Sequence, residues 1–319
     1  MSLKSSKETY RLAILSRDAT EYAKLIQRAE LAGLEIVFAS DSADTLSHSE
    51  NIDIVLGEPH LVLQCPHIHQ KLTWVQSTWA GVTPLICKQR PNYLLTGVKD
   101  IFGQQMREYV FAYLLYFSRQ IESFKVKQSQ QSWQLPKLDH LFGKTLGIMG
   151  VGSIGKEIAR TAKGFDMRVL GITRTHKHND NIEQQFTTDN CIEFAKQCDY
   201  IVSVLPDTPQ TKHLINTTFL EAMQSHSVLI NVGRSQVIDN QALITSLKNR
   251  QIRAAVLDVF EEEPLPLGHP MWNTPNLFVT QHSAATSNPK DIAAIFIDNF
   301  SRLLNNQTLK FVVDTQSGY

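Results

Sequence analysis

The 319 residues set 31 Lys and Arg against 31 Asp and Glu, so the chain is formally neutral. Neutrality argues against a nucleic-acid binder, which needs a basic excess or stripe. A content of 42% hydrophobic and 19% charged residues excludes a disordered chain, and the length suits two lobes at roughly 150 residues per domain.

In chain order, short apolar strands alternate with helical patterns, the signature of an α/β protein. Residues 1–7 are polar and lack the apolar core of a signal peptide. The longest apolar stretch, residues 109–117, falls far short of the ~18 residues of a membrane span, so a cytoplasmic protein without membrane attachment is expected. Residues 11–15 read as a first strand and 21–32 as a helix closed by Gly33; 35–39, 52–56 and 72–76 read as further strands of a small sheet lobe. Residues 104–125 predict one long helix with Tyr109, Tyr113, Tyr116 and Phe117 at helical spacing, a stripe that reads as core or interface packing rather than a cofactor box. Residues 128–133 are polar and loop-like. A second series follows, with strands at 145–149, 168–172, 200–205, 228–232, 254–257 and 277–280. A last helix over 289–304 has Pro289 near its first turn. Cys65, Cys87, Cys191 and Cys198 show no CxxC or Cys/His ligand spacing and are expected to be reduced thiols with no metal site. Cys191 and Cys198, seven apart, would share a face if both stood on one helix.

The strongest local motif is Gly150-Val151-Gly152-Ser153-Ile154-Gly155, which follows a predicted strand and opens a helix carrying Ile154, Ile158 and Ala162 on one face. That context is the dinucleotide-binding fingerprint. Gly150 allows the tight turn, Gly152 lets backbone approach a pyrophosphate, Gly155 lets helix and strand pack closely, and the helix N-terminus offers N–H groups to the anion. An NAD site carries an acid about 20 residues beyond the glycines to bond the ribose 2′-OH. Here that stretch holds Thr173, Arg174, Thr175, His176, Lys177 and His178, hydroxyls and a basic cluster suited to a 2′-phosphate. NADP is the expected preferred cofactor, with NAD also usable.

Four further segments are Leu205-Pro206-Asp207-Thr208-Pro209-Gln210-Thr211, Asn231-Val232-Gly233-Arg234-Ser235, Leu257-Asp258-Val259-Phe260-Glu261-Glu262-Glu263-Pro264-Leu265, and Thr280-Gln281-His282-Ser283-Ala284-Ala285. With the glycine turn they resemble, in order and nearly end to end, the D-isomer-specific 2-hydroxyacid dehydrogenase family. Residues 103–109, the Trp133 region and the terminal Gly-Tyr make the chain most like its bacterial glyoxylate/hydroxypyruvate reductases. The resemblance implies a catalytic trio of Arg234, Glu263 and His282, separated by 29 and 19 positions. Side-chain chemistry agrees: a guanidinium holds a substrate carboxylate and polarises the keto oxygen, imidazole titrates near working pH as general acid, and a carboxylate beside it favours and orients the imidazolium. Glu263 is preferred over Glu261 and Glu262 because Pro264-Leu265 follows it.

The resemblance further implies cofactor contacts from Ser153, Ile154, Leu205, Pro206, Thr211, Val232, Gly233, Asp258, His282 and Ala284, with Asp258 near the nicotinamide carboxamide. It implies a substrate loop in which the N–H groups of Ala80, Gly81 and Val82 grip the carboxylate and Trp79 walls the pocket; Met106 and Glu108 would line the cleft. Ser235 and Gln281 stand where many relatives carry Gly and Pro. The implied architecture is two doubly wound Rossmann- or flavodoxin-like lobes with a cleft between them: residues 1–101 and 286–319 binding substrate, and 102–285 the inserted dinucleotide lobe. The implied activity is NAD(P)H-dependent reduction of small 2-keto acids to D-2-hydroxy acids by a homodimer, paired through the aromatic face of residues 109–117 and the Trp133 loop. A formate-dehydrogenase-like member would need Gln at position 263. A dinucleotide-sensing corepressor on the same fold is the alternative from another class.

Overall fold

The computed structural model describes residues 8–46, 51–86, 93–175 and 178–314. The chain divides into two compact units, residues 1–101 with 287–319, and residues 102–286.

In the first unit, strands β1 (Tyr10–Leu15), β2 (Leu34–Ser40), β3 (Ile54–Gly57), β4 (Trp74–Ser77) and β5 (Leu94–Thr96) form a parallel sheet in the order β2-β1-β3-β4-β5. This is the flavodoxin-like order. β3 and β4 are buried along their whole length, as strands covered on both faces must be. The helix Pro289–Leu304 starts at Asn288, whose side chain accepts from the Lys290 N–H at 3.0 Å, and has Pro289 in its first turn, where a missing N–H costs nothing. It docks through Phe296, stacked on Trp74 at 5.0 Å, and Phe300, edge-on to Tyr10 at 6.0 Å. Trp74 satisfies its buried indole N–H on the Thr96 hydroxyl at 2.7 Å.

The second unit holds β6 (Thr145–Met149), β7 (Arg168–Ile172), β8 (Gln184–Phe186), β9 (Tyr200–Ser203), β10 (Val228–Asn231), β11 (Ala254–Leu257) and β12 (Leu277–Val279), all parallel in the order β12-β11-β10-β9-β6-β7-β8. Read from β8, this is the Rossmann order extended by a seventh strand, and its chain reversal falls between β6 and β9. The helix Ser153–Lys163 buries Gly155, Ile158, Ala159 and Ala162, a single stripe at helical spacing against the sheet.

Several expectations change. β5 and β8 are strands of three residues, too short for periodicity to reveal. The helix expected over 104–125 is two helices, Gly103–Ser118 and Ile121–Ser129, separated at Gln120, which adopts the left-handed φ of +55°. The first is tied down by Val110, Phe111, Leu114 and Phe117, whereas the second buries none of its residues. The helix of Cys191 ends at Ala195, so Cys198 shares no helix face with it. Cys65, Cys191 and Cys198 are free and buried, and Cys87 lies outside the described residues. Burial raises the pKa of all three thiols, the usual state of packed, unreactive cysteines. No helix among the described residues is long and apolar enough to cross a membrane.

The aromatic stripe turns inward. Tyr113, Tyr116 and Phe117 all meet the Phe278 ring, at 6.2, 5.5 and 5.3 Å, and Arg253 lies 5.4 Å from the centroid of Phe117. Tyr113 and Tyr116 stay half-buried, so this face packs against its own unit while part of both rings remains accessible.

Candidate active site

β6 ends in the glycine turn. Gly150 holds φ +100°, and its N–H donates to the Ile172 carbonyl at 3.0 Å, fastening the turn to β7. A Cβ on Gly155 would stand 2.2 Å from the Gly150 carbonyl oxygen, so the helix can come this close to the turn only with glycine there. At Gly152 a Cβ would meet nothing within 4 Å, and no side chain caps the first N–H groups of the helix opened by Ser153 and Ile154. Open space above an uncapped helix N-terminus fits a pyrophosphate. The Thr173 hydroxyl, just past β7, is buried without a hydrogen-bond partner among the described residues, an acceptor and donor suited to a ribose. The residues present therefore fit a dinucleotide.

Arg174 and Thr175 are exposed beyond Thr173; His176 and Lys177 lie outside the described residues. His178 Nε2 lies 2.7 Å from Asp180 Oδ1, with both side chains exposed. Gly233 packs where a Cβ would stand 2.6 Å from the Leu205 carbonyl, bringing Val232-Gly233 against buried Leu205. The Thr211 hydroxyl donates to the Pro206 carbonyl at 2.6 Å and accepts from the Thr208 N–H at 2.9 Å, closing that loop on itself.

Arg234 follows β10 and is half-buried, with one guanidinium N–H donating to the Gly233 carbonyl at 2.8 Å. Burial pulls its pKa below the usual arginine value, while the negative charges of Glu263 and Asp207 oppose that pull. Glu263 is shared: Oε1 accepts from the Phe260 N–H at 2.8 Å, and Oε2 lies 2.8 Å from His282 Nδ1. A carboxylate only accepts, so Nδ1 carries the proton and Nε2 is left for chemistry. Glu261 and Glu262 are exposed. The sheet thus brings His282 and Glu263 into contact and sets Arg234 within the field of Glu263.

His282 itself holds φ +52°, a left-handed conformation that costs a side-chain-bearing residue about 1–2 kcal/mol. Its neighbourhood is organised by Asp258, which is 1% exposed at the end of β11. Asp258 Oδ1 accepts from the Ser283 N–H at 2.8 Å and the Thr280 hydroxyl at 2.5 Å, and Oδ2 from the Ala284 N–H at 3.0 Å. The Asp258 backbone carbonyl accepts from the His282 N–H at 2.8 Å. Tyr109 reaches the Thr280 hydroxyl at 2.6 Å. Sequence reasoning assigned no role to Thr280 and placed Tyr109 among packing residues; the tyrosine spacing alone held no sign of this bond. Met106 is half-buried and Glu108 exposed on the helix Gly103–Ser118.

In the first unit the segment after β4 is stapled by Ser77, whose hydroxyl accepts from the Trp79 N–H at 3.0 Å and donates to the Trp79 carbonyl at 2.8 Å. Trp79 is exposed and leans on the His60 ring at 5.2 Å; Ala80 is exposed, Gly81 half-buried and Val82 buried.

A Rossmann sheet with a glycine turn at its reversal defines a dinucleotide-binding protein. Residues 111–284 match the NAD binding domain of the D-isomer specific 2-hydroxyacid dehydrogenases. Glyoxylate/hydroxypyruvate reductase A of Photorhabdus laumondii is 31% identical over 249 residues, which cover 75% of this chain and 79% of that protein. A family protein from Aeromonas salmonicida superposes with a TM-score of 0.91 at 38% identity, covering 96% of this chain and 99% of its own. A D-isomer specific 2-hydroxyacid dehydrogenase from Xanthobacter autotrophicus, determined with NADPH and MES, gives 0.84 at 27% identity over 98% of this chain and 100% of its own. The chain belongs to the D-isomer-specific 2-hydroxyacid dehydrogenase family and is an enzyme of that class.

Proposed function

We propose that this enzyme reduces small 2-keto acids of the glyoxylate and hydroxypyruvate type to D-2-hydroxy acids, with NADPH preferred over NADH. The observation that carries the reading is the 2.8 Å contact between His282 Nδ1 and Glu263, with Arg234 in the field of the same carboxylate. A reduced nicotinamide, when bound, supplies hydride to the keto carbon. The turn from Gly150 to Gly155 with Ser153 and Ile154, and Thr173 to Thr175, would hold the dinucleotide. Leu205, Pro206, Thr211, Val232, Gly233, Asp258 and Ala284 would form its remaining walls. Arg234 binds the substrate carboxylate through its planar fork and draws electron density from the keto oxygen. His282, oriented by Glu263, gives the Nε2 proton to the developing alkoxide; in the oxidative direction neutral His282 takes it back. In the first unit, Trp79, Ala80, Gly81 and Val82 are read as a second carboxylate-binding element, whose small residues permit close backbone approach.

NADPH and NADH oxidation with glyoxylate, hydroxypyruvate, pyruvate and phenylpyruvate tests the reading. The two small acids with NADPH should give the highest kcat/KM, and turnover confined to phenylpyruvate would overturn it. Arg174 is the residue read as facing the 2′-phosphate. Losing a charge-assisted hydrogen bond of about 1.5–3 kcal/mol should raise the NADPH KM of Arg174→Ala about 10- to 100-fold. Its NADH KM should stay unchanged. Equal losses with both cofactors would remove Arg174 from that role.

Assembly as a homodimer is part of the same proposal, and the Trp133 loop is the part of its expected surface that the structure describes most clearly as apolar and exposed. The helix Ile121–Ser129 buries none of its own residues, and an isolated helix this short is marginal in water. Beside it, Phe124, Trp133 and Leu135 line a groove of about 590 Å³, and Trp133 is 104% exposed. An apolar arm of this kind supports pairing with a second copy. Trp133→Asp should convert the dimer to a monomer in analytical ultracentrifugation; a wild-type chain already monomeric at micromolar concentration would contradict the pairing.

A further inference from the structure

We infer that a hydrogen-bonded chain from Tyr109 through Thr280 to Asp258 holds the 280–284 turn, and with it His282, in working position, which makes Tyr109 a positioning residue for the reaction. The inference rests on the proposed role of His282 as proton donor.

Proton counting sets the direction of the chain. Asp258, as a carboxylate, can only accept, so the single hydroxyl hydrogen of Thr280 goes to Oδ1 across 2.5 Å. The 2.6 Å contact between Tyr109 and Thr280 must then use the tyrosine hydrogen. Tyr109 therefore donates to Thr280, and Thr280 to Asp258, each bond strengthening the next in a low-dielectric setting. Burial, first, and then the nearby Asp258 charge raise the Tyr109 pKa, which keeps the phenol a protonated donor.

The far end of the chain is the catalytic turn. The N–H groups of His282, Ser283 and Ala284 all end on Asp258, the first on its backbone carbonyl and the other two on its carboxylate. Those three bonds oppose the cost of φ +52° at His282. If the carboxylate rotated, two of the three would be lost together. Thr280 stops that rotation and Tyr109 stops the rotation of Thr280. Packing does not require the phenolic oxygen, since Tyr113, Tyr116 and Phe117 already enclose Phe278 and a phenylalanine would fill the same space at position 109. Tyr109 stands 171 residues before Thr280, so only the tertiary fold creates the link.

Two variants remove single hydroxyls, Tyr109→Phe and Thr280→Val, and Thr280→Ser restores one. Each loss should lower kcat about tenfold while the keto-acid KM and the NADPH Kd change less than about twofold, as expected for one buried hydrogen bond. Thr280→Ser should stay near wild type, and Tyr116→Phe, whose hydroxyl donates to Glu122 at 2.9 Å and not to this chain, serves as the control with unchanged turnover. Independently of activity, hydrogen exchange of the peptide spanning residues 280–286 should speed up in Tyr109→Phe and Thr280→Val. Unchanged exchange in both variants would overturn the inference, and so would faster exchange with wild-type kcat. If Tyr109→Phe fails to fold, the Thr280→Val and Thr280→Ser pair makes the same comparison. Normal turnover in a His282→Ala protein would defeat the proton-donor reading by itself, while the exchange data would still report whether the chain holds the turn.

Discussion

Replacing His282 by alanine is expected to lower kcat for keto-acid reduction by about 10²–10⁴-fold, the usual worth of a positioned general acid. The NADPH Kd, read by fluorescence or calorimetry, should move less than about threefold, because the glycine turn and the loop after β7 are untouched. The reason lies in the proton inventory: Nδ1–H is committed to Glu263, so Nε2 alone can serve the alkoxide, and alanine leaves nothing in its place. Reduction needs a ring that gives a proton and oxidation one that takes it back, and alanine can do neither. Turnover within threefold of wild type would remove His282 from the chemistry.

Arg234→Ala should fail in a different way. A bidentate grip on a carboxylate is lost, and the charge of Glu263 is left without the guanidinium that faces its field. Losing two charge-assisted hydrogen bonds to the substrate, each worth about 1.5–3 kcal/mol, corresponds to about 10²–10⁴-fold in kcat/KM. Most of the loss should appear in KM for the keto acid. Arg234→Lys keeps the charge but not the fork and should recover only part of it. A keto-acid KM unchanged in Arg234→Ala, in a protein with wild-type thermal stability, would assign substrate anchoring elsewhere.

How much of this was legible beforehand follows from how local each signal is. The glycine turn can be read directly, because the requirement for φ +100° at Gly150 and for no Cβ at Gly155 is written into consecutive residues. Strands β6, β7 and β11 are equally plain, being short apolar runs between turn signals. The break at Gln120 was not, since helical periodicity continues past it and residues 121–129 are themselves helical, so only the left-handed backbone at Gln120 divides the two. The tyrosine stripe was rightly seen as helical packing, but what it packs on was not legible. Its partner, Phe278, lies far along the chain and is invisible to periodicity. The acidic run shows the same limit: three consecutive glutamates are indistinguishable by composition, and the fold selects Glu263 by giving its two oxygens the Phe260 N–H and the His282 ring.

What the amino-acid order determined alone is the class of chemistry: a strand, a glycine turn and a helix for a dinucleotide, with an arginine, a glutamate and a histidine of the right types in separate segments. Only the tertiary structure decided which of these meet and what steadies them. Parallel strands carry residues distant in sequence to one edge of a sheet, and there Asp258, Thr280 and Tyr109 join without any motif to announce them. Hydrogen bonds between groups so far apart along the chain depend on distance and angle in space, quantities that neither residue type nor spacing encodes.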